Sequence, residues 1–263
     1  MTLLNRLHLT RKTSYLKCIV RKGCHYIFRV FSRDMMKENT QEQSNLMSNT
    51  IRAVIWDLDG VIIDSANEHR LAWQRLAREE GISFSDADFW ATFGKRNDAI
   101  FAEIWGPLPP ERVQELANRK EAYFRELIRK TAAPLPGAME LMRGLHEAGL
   151  LQALASSTPV ENIELISEVL GLQRYLTVLV SGETVPHGKP APDIFLKAAE
   201  ELKVAPEHCL VIEDAVAGVE AAHAAGMRCI AVAGNRDLPG LRKADLMVKS
   251  LTQVDVDRIR NLA

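Results

Sequence analysis

The chain is short of acid at one end and short of cysteine throughout. Residues 1–34 hold one acidic side chain, Asp34, against eight Lys or Arg. The four cysteines are Cys18, Cys24, Cys209 and Cys229. No pair has metal-site spacing, which argues against a zinc scaffold, and the pattern fits reduced thiols in a cytosol-like compartment. No run reaches the roughly 18 apolar residues that a membrane span needs. No internal repeat or low-complexity tract stands out. The basic excess of the first residues does not continue. Residues 51–263 carry 24 basic and 31 acidic residues, a net of −7. That balance argues against nucleic-acid binding. It also means that an anionic substrate would need local positive charge, from a metal or a placed lysine.

Residues 1–50 read as a leader and linker without secondary structure. The basic first part, with its Ser and Thr, is compatible with an organelle transit peptide. The alternative is a start at Met47, or at Met35 or Met36, because Met47-Ser48-Asn49-Thr50 runs straight into the first strand. The expected location is cytoplasmic, or an organelle stroma or matrix if the leader is a transit peptide.

The informative stretch is Val54-Ile55-Trp56-Asp57-Leu58-Asp59-Gly60. A β-type apolar run ends abruptly in two carboxylates. Aspartate is a poor strand and core residue, so two of them there need a reason. A polar Asp-Gly turn is one. A nucleophilic and a proton-transferring carboxylate gathered round a hard cation is the other. Beyond Asn67 the spacing turns helical. Leu71, Trp73, Leu76 and Ala77 open a segment that stays helical to about residue 130, broken at Gly94-Lys95-Arg96-Asn97 and at Gly106–Pro110. After Pro136-Gly137 strands and helices alternate: strands at Leu151–Ala155, Thr177–Val180, Cys209–Ile212, Arg228–Val232 and Asp245–Val248. Such βα units imply a parallel sheet covered on both faces.

Four strand ends carry polar groups: Asp57 with Asp59, Ser156 with Ser157, Lys189 slightly downstream, and Glu213 with Asp214. Singly, each has a plain explanation. Ser156 could cap a helix, Lys189 could be a solvated lysine before a Pro-rich turn, and Glu213-Asp214 could be acids favoured by a helix dipole. In a parallel sheet, however, all these ends point the same way and can meet in one crevice. Clustered carboxylates need a cation, and Mg²⁺ prefers oxygen ligands.

Asp57-Leu58-Asp59-Gly60-Val61, followed by Asp64-Ser65, resembles the first motif of the haloacid dehalogenase superfamily, in its phosphatase and β-phosphoglucomutase-like branch. Ser156, Lys189-Pro190-Ala191-Pro192 and Glu213-Asp214 resemble its later motifs, in order. The resemblance implies an α/β fold: a Rossmann-like parallel core (51–66 plus 131–263) with an inserted helical cap (67–130). It implies Asp57 as nucleophile and Asp59 as general acid, then base. Mg²⁺ would sit on Asp57, the Asp59 main-chain carbonyl and Asp214, with Glu213 at or near it. Ser156 and Ser157 would bind phosphate, and Lys189 would balance charge. His69 would face the entrance, and Arg96 would meet the distal end of the substrate. The implied reaction is Mg²⁺-dependent hydrolysis of a small phosphate monoester, a sugar or polyol phosphate. The partner is then a small phosphorylated metabolite, with no nucleic acid or membrane, bound by a monomer or weak oligomer. Two alternatives are a β-phosphoglucomutase and a catalytically silent regulatory module. Arg96 falls one position early for the mutase pattern, and Pro159-Val160 replace polar sugar-binding residues. Both departures favour a phosphatase. Trp73, Trp90 and Trp105 are expected in the core of the insert.

Overall fold

The computed structural model describes residues 15–21, 24–30, 50–234, 236 and 238–262. They fall into two units, divided after Thr50. In the first, β1 (Tyr15–Arg21) pairs antiparallel with β2 (Cys24–Val30). These strands correct the expectation of a leader without structure. Basic composition hid two runs of β-favouring residues, among them Ile19, Val20, Tyr26, Ile27 and Phe28. The transit-peptide and internal-start readings rest mainly on residues 1–14 and 31–49, which lie outside the described residues.

The second unit is built on a six-stranded parallel sheet. Its strands are β3 (Ala53–Trp56), β4 (Leu151–Ser156), β5 (Val178–Ser181), β6 (Cys209–Glu213), β7 (Arg228–Val232) and β8 (Leu246–Val248), in the spatial order β5-β4-β3-β6-β7-β8. β3 and β6 are buried along their whole length, which is why they read as unbroken apolar runs rather than alternating ones. Their side chains still alternate between faces. Val54 and Trp56 join one core cluster, Ala53 and Ile55 the other. The order reverses at β3: the chain leaves it toward β4 and β5, then returns to β6 on the other side. That is the topological switch point, where open α/β sheets bind ligands at the carboxyl ends of their strands.

Between β3 and β4 lie α1 (Ala66–Glu79), α2 (Asp86–Thr92), α3 (Asn97–Ile104), α4 (Pro110–Thr131) and α5 (Ala138–Glu147). Pro110 opens α4 at a position where its missing N–H costs nothing. Ser85 caps α2 in a capping box with Asp88. The first four helices enclose their own apolar cluster around Trp73, Phe84, Phe89, Phe101 and Leu116. The two connections between this insert and the sheet run side by side. Ile63 bridges to Asp59 and to Pro134, and Leu135 N donates to Ile62 O at 2.7 Å. The other helices, α6 (Val160–Leu170), α7 (Asp193–Leu202), α8 (Val216–Ala224) and α9 (Val256–Arg260), complete the βα pattern. Among the described residues no helix is long and apolar enough to cross a membrane.

Candidate active site

The carboxyl ends of β3, β4 and β6 open into a cavity of about 480 Å³, roofed by α1, α2, α3 and α4. Asp57, Asp59, Ser156, Ser157, Lys189, Glu213, Asp214 and His69 all line it. Of the site residues expected from the sequence, only Arg96 is missing from its wall. The Arg96 guanidinium instead donates to Gly182 O at 3.3 Å and faces Asp98 at 3.4 Å. The reason lies in the backbone. Arg96 is the extended residue just before α3, and its stem runs past Gly188, toward the loop that carries Lys189. Lys95 lines the cavity in its place, paired with Glu103 at 2.6 Å. Val160 is likewise absent from the lining, while Pro159 is part of it.

Asp57 follows the last residue of β3 and is buried. Lys189 Nζ lies 2.5 Å from Asp57 Oδ1 and 2.6 Å from Glu213 Oε1. The other oxygen of Glu213 accepts from the backbone N–H of Asp214 and of Ala215, at 2.7 and 2.8 Å. Arg236 Nη2 donates to Asp214 Oδ2 at 2.6 Å. Burial raises the proton affinity of Asp57 and Lys189 opposes it, but Glu213, Asp214 and Asp59 push it up again, so it lies well above the usual carboxylate range. Burial and Glu213 likewise lift Asp214 to about 7, against the pull of Arg236. Burial would lower the proton affinity of Lys189, but Asp57 and Glu213 overcome this and raise it. Two cations cannot fully satisfy three crowded acids.

Oxygen atoms of Asp57, Glu213 and Asp214 lie within 4.8 Å of one another. Buried, all-oxygen and short of positive charge, this donor set fits a hard divalent cation. The carboxylate of Asp59 is not part of it. Gly60 matters here: it has φ +82°, and a Cβ on it would overlap the Asp214 carboxylate.

Asp59 has a different environment. Ser65 Oγ donates to Oδ1, Thr158 Oγ1 donates to Oδ2 at 3.0 Å, and His69 Nε2 is 3.6 Å from Oδ1. Burial opposes its ionisation. The hydrogen bond and charge of His69, with Ser65 and Thr158, outweigh that and draw its pKa down to about 2. The proton affinities of two carboxylates two residues apart are thus shifted in opposite directions, Asp57 upward and Asp59 downward.

Behind His69 runs a buried polar chain that sequence reasoning missed. His69 stacks on Phe124 with centroids 3.9 Å apart, and its Nδ1 is 2.8 Å from Lys120 Nζ. Lys120, 2% exposed, reaches Glu121 Oε1 at 2.8 Å. Glu121, 4% exposed, also accepts from Asn97 Nδ2 at 2.8 Å and from Asn162 Nδ2 at 2.5 Å. A signal was present: Lys120 lies four residues from both Leu116 and Phe124, on the apolar stripe of α4. Thr158 directly follows Ser156 and Ser157 at the end of β4, and its place in that polar run was the signal for it. Arg236, in the loop after β7, belonged to no pattern. The expectation for the tryptophans needs one correction. Trp73 is buried, but Trp90 is 57% exposed and lines the cavity.

A buried carboxylate at the switch point, a second carboxylate beside it, a lysine and an all-oxygen cluster that could hold a cation fit a phosphoryl-transfer enzyme of the α/β class. Residues 51–226 match the haloacid dehalogenase-like hydrolase family, and the chain belongs to it. It is 32% identical over 203 residues to validoxylamine A 7'-phosphate phosphatase of Streptomyces hygroscopicus subsp. limoneus, covering 77% of this chain and 95% of that protein. It is 31% identical over 210 residues to hexitol phosphatase A of Escherichia coli, covering 80% and 96%. Among solved structures, β-phosphoglucomutase from Clostridium difficile superposes with a TM-score of 0.74 at 29% identity, over 81% of this chain and 96% of that one. The chain is an enzyme of this phosphatase and β-phosphoglucomutase-like group.

Proposed function

We propose that this chain is a Mg²⁺-dependent phosphatase of small phosphate monoesters, acting through an aspartyl-phosphate on Asp57. The observation that carries this reading is the pairing of Lys189 with Asp57 at 2.5 Å, beside the Asp57–Glu213–Asp214 cluster, at the switch point of the sheet. Kinship with validoxylamine A 7'-phosphate phosphatase and hexitol phosphatase A supports a sugar or polyol phosphate as substrate.

In the first half-reaction an Asp57 oxygen attacks phosphorus and the ester P–O bond breaks. The leaving alcohol takes a proton from Asp59. In the second, water gives its proton to Asp59 while its oxygen attacks phosphorus, which releases phosphate and restores Asp57. The resting pKa of about 2 holds Asp59 as the carboxylate that the second half needs. The first half needs its proton, and the negative charge of an arriving phosphate beside it favours that protonated form. Ser156 and Ser157, which line the cavity, would donate to phosphate oxygens, and Lys189 would offset charge between Asp57 and the phosphate. Asp57 and Asp214 would hold Mg²⁺, with the Asp59 carbonyl. Both oxygens of Glu213 already have partners, so it orients the loop and Lys189. The ion would supply charge neutralisation on the phosphate oxygens. The insert 67–130 acts as a cap that excludes water.

The test is phosphate release over a panel of sugar and polyol phosphates with Mg²⁺, repeated after chelation. Release from several esters that chelation removes is the expected result. Full activity after exhaustive chelation would overturn the metal assignment.

A further inference from the structure

Resting on that phosphatase reading, we infer that the leaving group carries a ring with a flat, weakly hydrated face that stacks on Trp90, and that open-chain polyol phosphates are the poorer substrates. The cavity has two unlike ends. The polar end at the sheet holds the carboxylates and Lys189. The far end is walled by the insert with Phe89, Trp90 and Phe93. These three rings form one group on and just after α2, with centroids 5.0 to 5.6 Å apart in edge and tilted contacts. Phe89 is buried and anchors the group, whereas Trp90 leaves more than half its surface open. The core also contributes the apolar Val216 and Leu238 to the lining.

The polar side chains near this end already have partners. Asn97 is held by Glu121, Lys95 by Glu103, and Lys120 by Glu121 beside His69. An extended polyol would therefore bring hydroxyls to a wall of aromatic faces and matched charges, and leave water for little in return. A ring presents a face of C–H groups or π electrons to an indole and keeps its hydroxyls at the edge, which suits this wall. Such a face has two sources, a cyclic sugar or an aromatic ring.

Glucose 6-phosphate and sorbitol 6-phosphate give a matched comparison. Both carry phosphate on a primary alcohol of a six-carbon skeleton, and one is closed while the other is open. 2-Phenylethyl phosphate adds the aromatic case. The expected kcat/KM favours one of the two ring esters over sorbitol 6-phosphate by about tenfold. Which ring ester leads tells a sugar face from an aromatic one. Trp90→Ala and Trp90→Gln should both collapse that preference by raising KM for the ring esters, and Trp90→Phe should retain part of it. Equal use of ring and open-chain esters, or equal losses on both in the Trp90 variants, would overturn the inference. If the wild type releases phosphate from none of the three, the phosphatase reading fails separately. Calorimetric Kd values for the same esters with Mg²⁺ then decide the stacking inference, for it if the rings bind tighter and against it if they do not.

Discussion

The side-chain amide of Asn162, in the first turn of α6, donates to Glu121 Oε2 on α4 at 2.5 Å. This bond ties the sheet half of the molecule to the insert. The same carboxylate takes Asn97 from the start of α3 and Lys120 from α4. One buried glutamate therefore collects the insert loop, the long helix and the core. Through Lys120 and His69 it stands three contacts from Asp59.

Removing that carboxylate leaves the Lys120 ammonium buried without an acid. Glu121→Ala should destabilise the fold by about 3 kcal/mol, the scale of a broken buried ion pair. Lys120→Met combined with Glu121→Leu should recover most of this, since both charges leave together. Urea midpoints measure each. A shift below about 0.5 kcal/mol for Glu121→Ala, the range of a neutral surface change, would refute the bridging role. Burial opposes ionisation of Glu121, but Lys120, His69 and Asn97 keep its pKa below the usual range. Its contribution is therefore present above the ordinary glutamate pKa and is lost as pH falls through the lower folded value.

Asp57→Asn should abolish turnover while sparing the fold. The proton affinity of Asp57 is raised, so the folded site disfavours its charge and a neutral near-isostere relieves crowding with Glu213 and Asp214. Lys189 keeps Glu213 as partner. The expected pair of results is kcat below detection and a metal-free thermal midpoint at or above wild type. Residual activity free of wild-type contamination would remove Asp57 from the nucleophile's role.

Asp214 gives a pH test. Its pKa rises from the ordinary aspartate value of about 3.9 to about 7 in the fold. Between those values the folded state binds more protons than the unfolded chain, so this group makes stability fall as pH rises from about 4 to 7. A cation displaces the proton, so Mg²⁺ should raise the thermal midpoint more at pH 8 than at pH 5.5. A Mg²⁺ effect of equal size at both pH values would contradict this.

The main lines of the fold were readable because two periodicities and one break in each are enough. β3 and β6 are apolar until Asp57 and Glu213, β4 is apolar until Ser156 except at Gln152, and those ends converge because the strands are parallel. The tertiary partners of the charged residues were less legible. Lys120 sits on the apolar stripe of α4, but its company, His69 from α1 and Glu121 beside it, depends on how two helices cross. Arg96 looked like a substrate cation because it interrupts the helices, yet its reach is set by the extended backbone before α3. Trp90 reads as core because it lies in the helical insert with Trp73 and Trp105. A short helix has two faces, and spacing alone did not say which one the cavity took.

The last prediction separates hydrolysis from mutase chemistry. Both use Asp57 and Asp59, and they differ in whether water or a sugar hydroxyl attacks the phosphoenzyme. A mutase must also grip a second phosphate under the cap, which requires a cation there. Among the described residues the cations of the insert near the cavity are committed elsewhere. Lys95 pairs with Glu103, Lys120 is buried between His69 and Glu121, and Arg96 spends its guanidinium on Gly182 O and Asp98. Withdrawing any of them breaks a charged contact, each worth about 1.5–3 kcal/mol where it is buried. Water should therefore win. With β-glucose 1-phosphate and Mg²⁺, inorganic phosphate should accumulate and a coupled assay should find little glucose 6-phosphate. Arg96→Ala should weaken the hold of the insert on the 182–185 loop and raise KM for every ester tested to a similar degree, because Arg96 touches protein and not substrate. Efficient formation of glucose 6-phosphate with little free phosphate, or an Arg96→Ala effect confined to bisphosphorylated sugars, would favour the mutase.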